Sequence, residues 1–139
     1  MQYIFFVSKE PWSSFNSIYA YVRLRGHFPK TLIAFYSDEK SMKLIEDMLS
    51  ILYENYDKKY DLKKVRLPEN FEDMIKIIES YVQKGDLVDI TGARKFTILS
   101  LMHLHGINIV YLQLKDMRFS TSPFMMRPLS LQTLMEVKI

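Results

Sequence analysis

Cysteine is absent from this chain, which removes disulfide scaffolds, thiolate zinc sites and cysteine nucleophiles together. Glycine occurs 4 times and proline 5 times, both scattered, so no linker, repeat or low-complexity tract interrupts the chain. Long apolar runs are missing as well. Tyr3-Ile4-Phe5-Phe6-Val7, the longest near the N-terminus, is too short for a membrane span or a signal h-region and has no basic stretch before it. No membrane partner and a cytoplasmic location are therefore expected. Nor does charge of one sign dominate: 19 Lys and Arg oppose 16 acids, for a net charge of +3 and a pI near 9.0. That balance suits a phosphate ligand, but no basic tail or stripe marks a duplex DNA partner. What remains is 139 residues, 48% hydrophobic, expected to form one domain over 1–139. A chain of this length buries roughly two-thirds of its unfolded surface, so no structural metal is needed.

The order of elements is informative. Tyr3 to Val7 reads as a strand buried on both faces. After the polar break Ser8-Lys9-Glu10-Pro11, Trp12 to Leu24 carries Phe15, Ile18, Tyr19 and Val22 at helical spacing, with Ser13 or Ser14 as N-cap and Gly26 beyond its end. Thr31 to Tyr36 predicts a second strand, Asp38 to Tyr56 a second helix, and Lys64 to Leu67 a short third strand stopped by Pro68. Asn70 caps a third helix, closed by Gly85. Asp86 to Ile90 is a fourth strand, Arg94 to His105 a fourth helix closed by Gly106, and Ile107 to Leu114 a fifth strand. For Met117 to Ile139 a hairpin through Pro123 and a short last element are expected.

Strands alternating with helices imply an α/β, Rossmann-like doubly wound sheet, mostly parallel, in the order 3-2-1-4-5. Ligands of such sheets bind outside the carboxyl ends of the strands where the winding reverses, here between strands one and four. The loops after Val7 and after Ile90 should line the site.

The second loop reads Asp89-Ile90-Thr91-Gly92-Ala93-Arg94-Lys95. Gly92 permits a tight turn, and the N–H groups of Ala93, Arg94 and Lys95 open a helix, a geometry that attracts phosphate. Thr91 adds a hydroxyl, and Arg94 and Lys95 add positive charge. A capped helix start with two solvated cations accounts for the same residues. The first loop offers Ser8, Lys9, Trp12, Ser13 and Ser14, hydroxyls for a phosphate beside a tryptophan for a base. Capping serines and a partly buried Trp are the plain alternative.

A strand ending in Asp89-Ile90-Thr91-Gly92, followed by Ala93-Arg94-Lys95 opening a helix, resembles the D-[IV]-T-G-G-[TR]-K signature of CARF domains, the Rossmann-like sensors of type III CRISPR systems. The resemblance extends to the strand order and the hydroxyl-bearing first loop, and so covers most of the chain. It departs at Ala93, where the family usually has a second glycine and where a methyl crowds an approaching phosphate. The resemblance implies a homodimer that binds cyclic oligoadenylate, most often the tetra-adenylate, across its two-fold axis. The first turn of the fourth helix and the tail after Leu114 would form the dimer face, with Arg118 and Arg127 as solvated spare cations.

Within these 139 residues no effector domain is expected beside the sensor fold. Arg23 and Arg25 stand too close to His27 for a HEPN ribonuclease, and Glu136-Val137-Lys138 lacks the upstream Asp of a restriction-type nuclease. A stand-alone domain of this kind looks like a ring nuclease, which opens the messenger and ends the response. The substrate's own 2′-OH attacks the neighbouring phosphodiester, so the protein needs only to align it and stabilise phosphoryl charge. Lys95 would be the main stabiliser, with Ser13 or Ser14, and Ser8 beside them, orienting ribose or phosphate. His103 and His105 fall roughly 15 Å from the start of their helix at about 1.5 Å per residue, and His27 lies on the same far edge, so none reaches the site. No metal and no cofactor are expected. Two readings compete: a cyclic oligoadenylate sensor that does not cleave, and a generic Rossmann-like nucleotide-binding or interaction module. The missing G-x-G-x-x-G argues against a dinucleotide enzyme.

Overall fold

All five side chains of β1 (Tyr3–Val7) are buried in the computed structural model, which describes residues 1–139. Successive strand residues face opposite ways, so Tyr3, Phe5 and Val7 enter one core and Ile4 and Phe6 the other. That two-sided burial makes β1 central. It pairs in parallel with β2 (Thr31–Tyr36) and with β4 (Leu87–Asp89). β3 (Asp61–Arg66) extends the sheet beyond β2, and β5 (Asn108–Leu114) beyond β4. β6 (Gln132–Lys138) closes it antiparallel to β5, giving the order β3-β2-β1-β4-β5-β6. The fold is thus the expected Rossmann-like α/β sheet, with the C-terminal hairpin realised as a full edge strand. No helix is long and apolar enough to cross a membrane.

Helices α1 (Pro11–Arg25) and α2 (Glu39–Asn55) cover one face; α3 (Phe71–Tyr81) and the short α4 (Lys95–Ser100) cover the other. β3 is longer than its charged sequence suggests. It is an edge strand on which only Val65 is buried, while Lys64 bridges to Glu46 at 2.9 Å and Lys63 lies 4.9 Å over the Tyr81 ring. Lysine stems, not apolar residues, cover that edge.

Several expectations change, and α3 already ends at Tyr81, before Gly85. The N-cap of α1 is Glu10, neither Ser13 nor Ser14, because Pro11 at the first helical position needs no N–H partner and starts the helix earlier. The sheet-facing side of α1 carries Ser14, Ser17, Ile18 and Tyr21, while Phe15 and Tyr19 are only half-buried. α4 ends after Ser100 rather than at His105. Ser100 Oγ donates to the Thr97 carbonyl, and the N–H groups of Leu101, Met102 and Leu104 each reach only three residues back.

Between β5 and β6, residues 115–131 fold as three single turns, Met117–Phe119, Phe124–Met126 and Leu129–Leu131. Buried Asn16 of α1 clamps this excursion: its Nδ2 donates to the Ser122 carbonyl and its Oδ1 accepts the Phe124 N–H, both at 2.8 Å. Arg127, expected to be solvated, is buried as well and donates to the carbonyls of Phe119 and Ser120 at 2.8 Å each.

Candidate functional site at the carboxyl edge of the sheet

β1 ends at Val7, and the first loop passes straight into α1. Ser8 Oγ donates to the Glu10 carbonyl at 2.7 Å. The Glu10 carboxylate accepts the N–H groups of Trp12 at 2.8 Å and Ser13 at 3.0 Å, and the Ser13 hydroxyl at 2.9 Å. An anion therefore already occupies the start of α1, and it belongs to the chain itself. Ser14 is buried and donates to the Phe6 carbonyl at 2.6 Å, so it faces the sheet rather than solvent. Trp12 is half-buried, edge-on to Phe15. Lys9 stays exposed, its carbonyl held by Ser41 Oγ at 3.0 Å.

The second loop starts from a buried charge. Asp89 lies beneath α1 and accepts the Tyr3 hydroxyl at 2.6 Å, the Ser17 hydroxyl, and the Thr91 N–H at 3.0 Å. Burial pushes its carboxyl above the usual range, against the pull of those hydrogen bonds. It is part of the scaffold and does not open on the crevice. Thr91 Oγ1 accepts the Leu112 N–H at 2.9 Å, tying the loop to β5.

Gly92 is required by proximity. A Cβ there would stand inside the contact distance of the Phe6 carbonyl oxygen and Ser14 Oγ. The Ala93 N–H is spent on the Ile90 carbonyl at 3.0 Å, and the Ala93 methyl packs on the α3–α4 core, so this residue offers no donor. Arg94 is the N-cap of α4 without a side-chain cap bond, and Lys95 opens the helix. Both are exposed, and neither forms an ion pair.

The structure thus brings Ser8, Gly92, Ala93 and Arg94 to one narrow cleft at the ends of β1 and β2. Arg94 also borders a wider cavity of about 480 Å³ that takes in Lys9, Ser37, Asp38, Glu69 and Phe96. Those last four lie on the β2 and β3 loops and on α4, where no motif marked them. Glu10 was missed too, although an acid before Pro11 is a readable helix start.

The histidines are elsewhere. His103 Nε2 meets Glu79 at 2.5 Å, and His27 packs edge-on to Tyr21 beyond the end of α1. Glu136 pairs with Arg25 at 3.4 Å on the outer strand, and Arg118 with Asp116 at 2.6 Å. No three His, Asp or Glu side chains converge as a metal-binding group. A larger cavity of about 710 Å³ near His27 mixes Lys30, Lys58 and Lys59 with Asp57 and Asp61, so it lacks a dominant sign. No protein-family model matches this chain, and no curated protein matches it. Chemically, the carboxyl edge offers the uncompensated cation Arg94 and small hydroxyls at a cleft, while Lys95 is exposed beside Arg94 in the chain and lines neither cavity. That set can hold and polarise a phosphodiester.

Proposed function

We propose that this chain binds cyclic oligoadenylate, most simply the tetra-adenylate, across a homodimer and opens the ring without a metal, ending type III CRISPR signalling. The observation that carries the reading is the unpaired pair Arg94 and Lys95 at the switch-point edge, while Glu10 fills the competing helix start. Two copies would set four cations against four phosphates. The 2′-oxygen of one ribose attacks the adjacent phosphorus as the bond to the 5′-oxygen breaks. The 2′-proton leaves to solvent and the 5′-oxygen gains one, giving a linear product with a 2′,3′-cyclic phosphate. Lys95 stabilises the phosphoryl charge, and Ser8 or Ser13 orients the ribose by rotating away from its Glu10 partner. Ser14, whose proton is held by the Phe6 carbonyl, is left out of this role.

A second reading, binding without cleavage, draws on one observation: no histidine stands at this edge to act as a base. Incubating labelled cyclic tetra-adenylate with the protein in EDTA separates the two. Linear di-adenylate ending in a cyclic phosphate is expected, and retained intact ring would leave a sensor. Removing Lys95 as Lys95→Ala should slow opening by about 10²–10³, the usual effect of deleting one charge-stabilising donor. A Lys95→Ala protein that cleaves at the parental rate removes the mechanism.

A further inference from the structure

The cavity beside Arg94 is much larger than a phosphate, and its far wall has the wrong chemistry for one. Glu69, at the start of the third crossover, is exposed and makes no hydrogen bond or ion pair. Asp38 caps α2 through one oxygen only: Oδ2 accepts the Ser41 N–H at 3.2 Å and the Ser41 hydroxyl at 2.6 Å, which leaves Oδ1 open. Those bonds keep its carboxyl below the usual range and so ionised. Lys9 lines the same cavity and offsets part of this charge, but the two carboxylates themselves accept only donors. Phe96 lines the same cavity, 45% exposed, its ring held at 66° and 4.7 Å by Phe71. An aromatic side chain left in water beside a cavity is a stacking platform for a flat ring. Leu67 and Met74 supply an apolar lining.

We propose that this cavity is a base pocket: a purine carrying an exocyclic amine stacks on Phe96 and donates to Glu69 and Asp38, while the adjoining phosphate lies on Arg94. The inference rests on the reading of Arg94 and Lys95 as a nucleotide-phosphate site and adds what selects the base. The amine is the specific element, because a carboxylate covered by a base that offers no donor loses water without gaining a partner. Stacking is the tolerant element, since every base has a flat face.

The test is calorimetric titration with two rings, cyclic tetra-adenylate and the same ring built from unsubstituted purine, which stacks alike but has no amine. The parent protein should prefer the adenylate ring by about tenfold, the net worth of one hydrogen bond at an accessible site. Glu69→Ala combined with Asp38→Asn, which keeps a capping side chain on α2, should bring the ratio close to one. Any general gain from removing negative charge cancels in that ratio. Phe96→Ala should weaken both rings by a similar factor, about tenfold, and thermal melting checks that each variant folds. Equal affinity of the parent for both rings, a ratio unchanged in the double variant, or undiminished binding by Phe96→Ala overturns the base pocket while the phosphate site stands. A parent protein that binds neither ring overturns both readings together.

Discussion

Asp89 and Tyr3 illustrate how one residue of the signature serves the scaffold. The carboxylate has no cation partner, and its charge is held by two hydroxyls and one N–H from β1, α1 and the loop it precedes. Removing one donor leaves the rest of a buried charge underpaired, so Tyr3→Phe should cost about 1–3 kcal/mol in urea unfolding. The pH dependence has a definite sign. Because burial raises the folded pKa above 3.8, the unfolded chain ionises first as pH rises. Asp89 therefore adds no penalty in strong acid, begins to destabilise above the unfolded value, and reaches its full penalty once pH passes the folded pKa. Tyr3→Phe raises that folded pKa further and should extend the declining limb to higher pH. Unfolding free energies between pH 3 and 8 for the parent, Tyr3→Phe and Asp89→Asn check this, and only Asp89→Asn should lose the limb.

The elements show what periodicity can and cannot carry. Strands β1 and β2 were legible because burial on both faces demands unbroken apolar or β-branched residues, and β5, which buries only Val110 and Leu112, was legible from its apolar and β-branched run. β3 was read short since its edge position lets lysine stems replace apolar side chains. α1 was read from Phe15, Ile18, Tyr19 and Val22, of which Ile18 and Val22 are buried, but its contact with the sheet also uses Ser14 and Ser17, small residues that admit close approach and carry no hydrophobic signal. The loop at Gly92 was legible as a motif, while the reason for its glycine, a close approach to Phe6 and Ser14 across two other elements, is purely tertiary. The residues of the proposed base pocket, Asp38, Glu69 and Phe96, come from three different strand–helix units, so no spacing could gather them. The same tertiary logic yields an element-scale prediction at Asn16, the only α1 side chain that pairs with both Ser122 and Phe124. Asn16→Ala leaves a buried N–H and carbonyl without partners and should destabilise by about 1–3 kcal/mol. Hydrogen exchange should rise first across residues 116–127, and uniform acceleration throughout the sheet would instead mark global loosening.

At the scale of the whole molecule, symmetry decides which surface can join two copies around one ligand. The free edge of β6 invites antiparallel pairing, but the two-fold axis would then stand perpendicular to the sheet. Parallel strands on either side would point in opposite directions, sending the two copies of Lys95 to opposite ends of the dimer. A shared ring needs an axis along the strands, and so a face rather than an edge. The outer sides of α4, β5 and β6 provide one: Leu99 is 56% and Met102 71% exposed, and Tyr111 stands opposite Met135 and Ile109 opposite Val137 across the ladder. α4 is too short to cover these strands, which leaves this face apolar and next to Lys95. On the proposed function a second copy covers it. Met102→Lys combined with Met135→Lys should therefore give a folded monomer by sedimentation and circular dichroism, with ring opening reduced by at least about tenfold, since each protomer would hold only half the ligand. A variant that remains dimeric, or a monomer that opens the ring at the parental rate, would show that this face is not where two copies share the substrate.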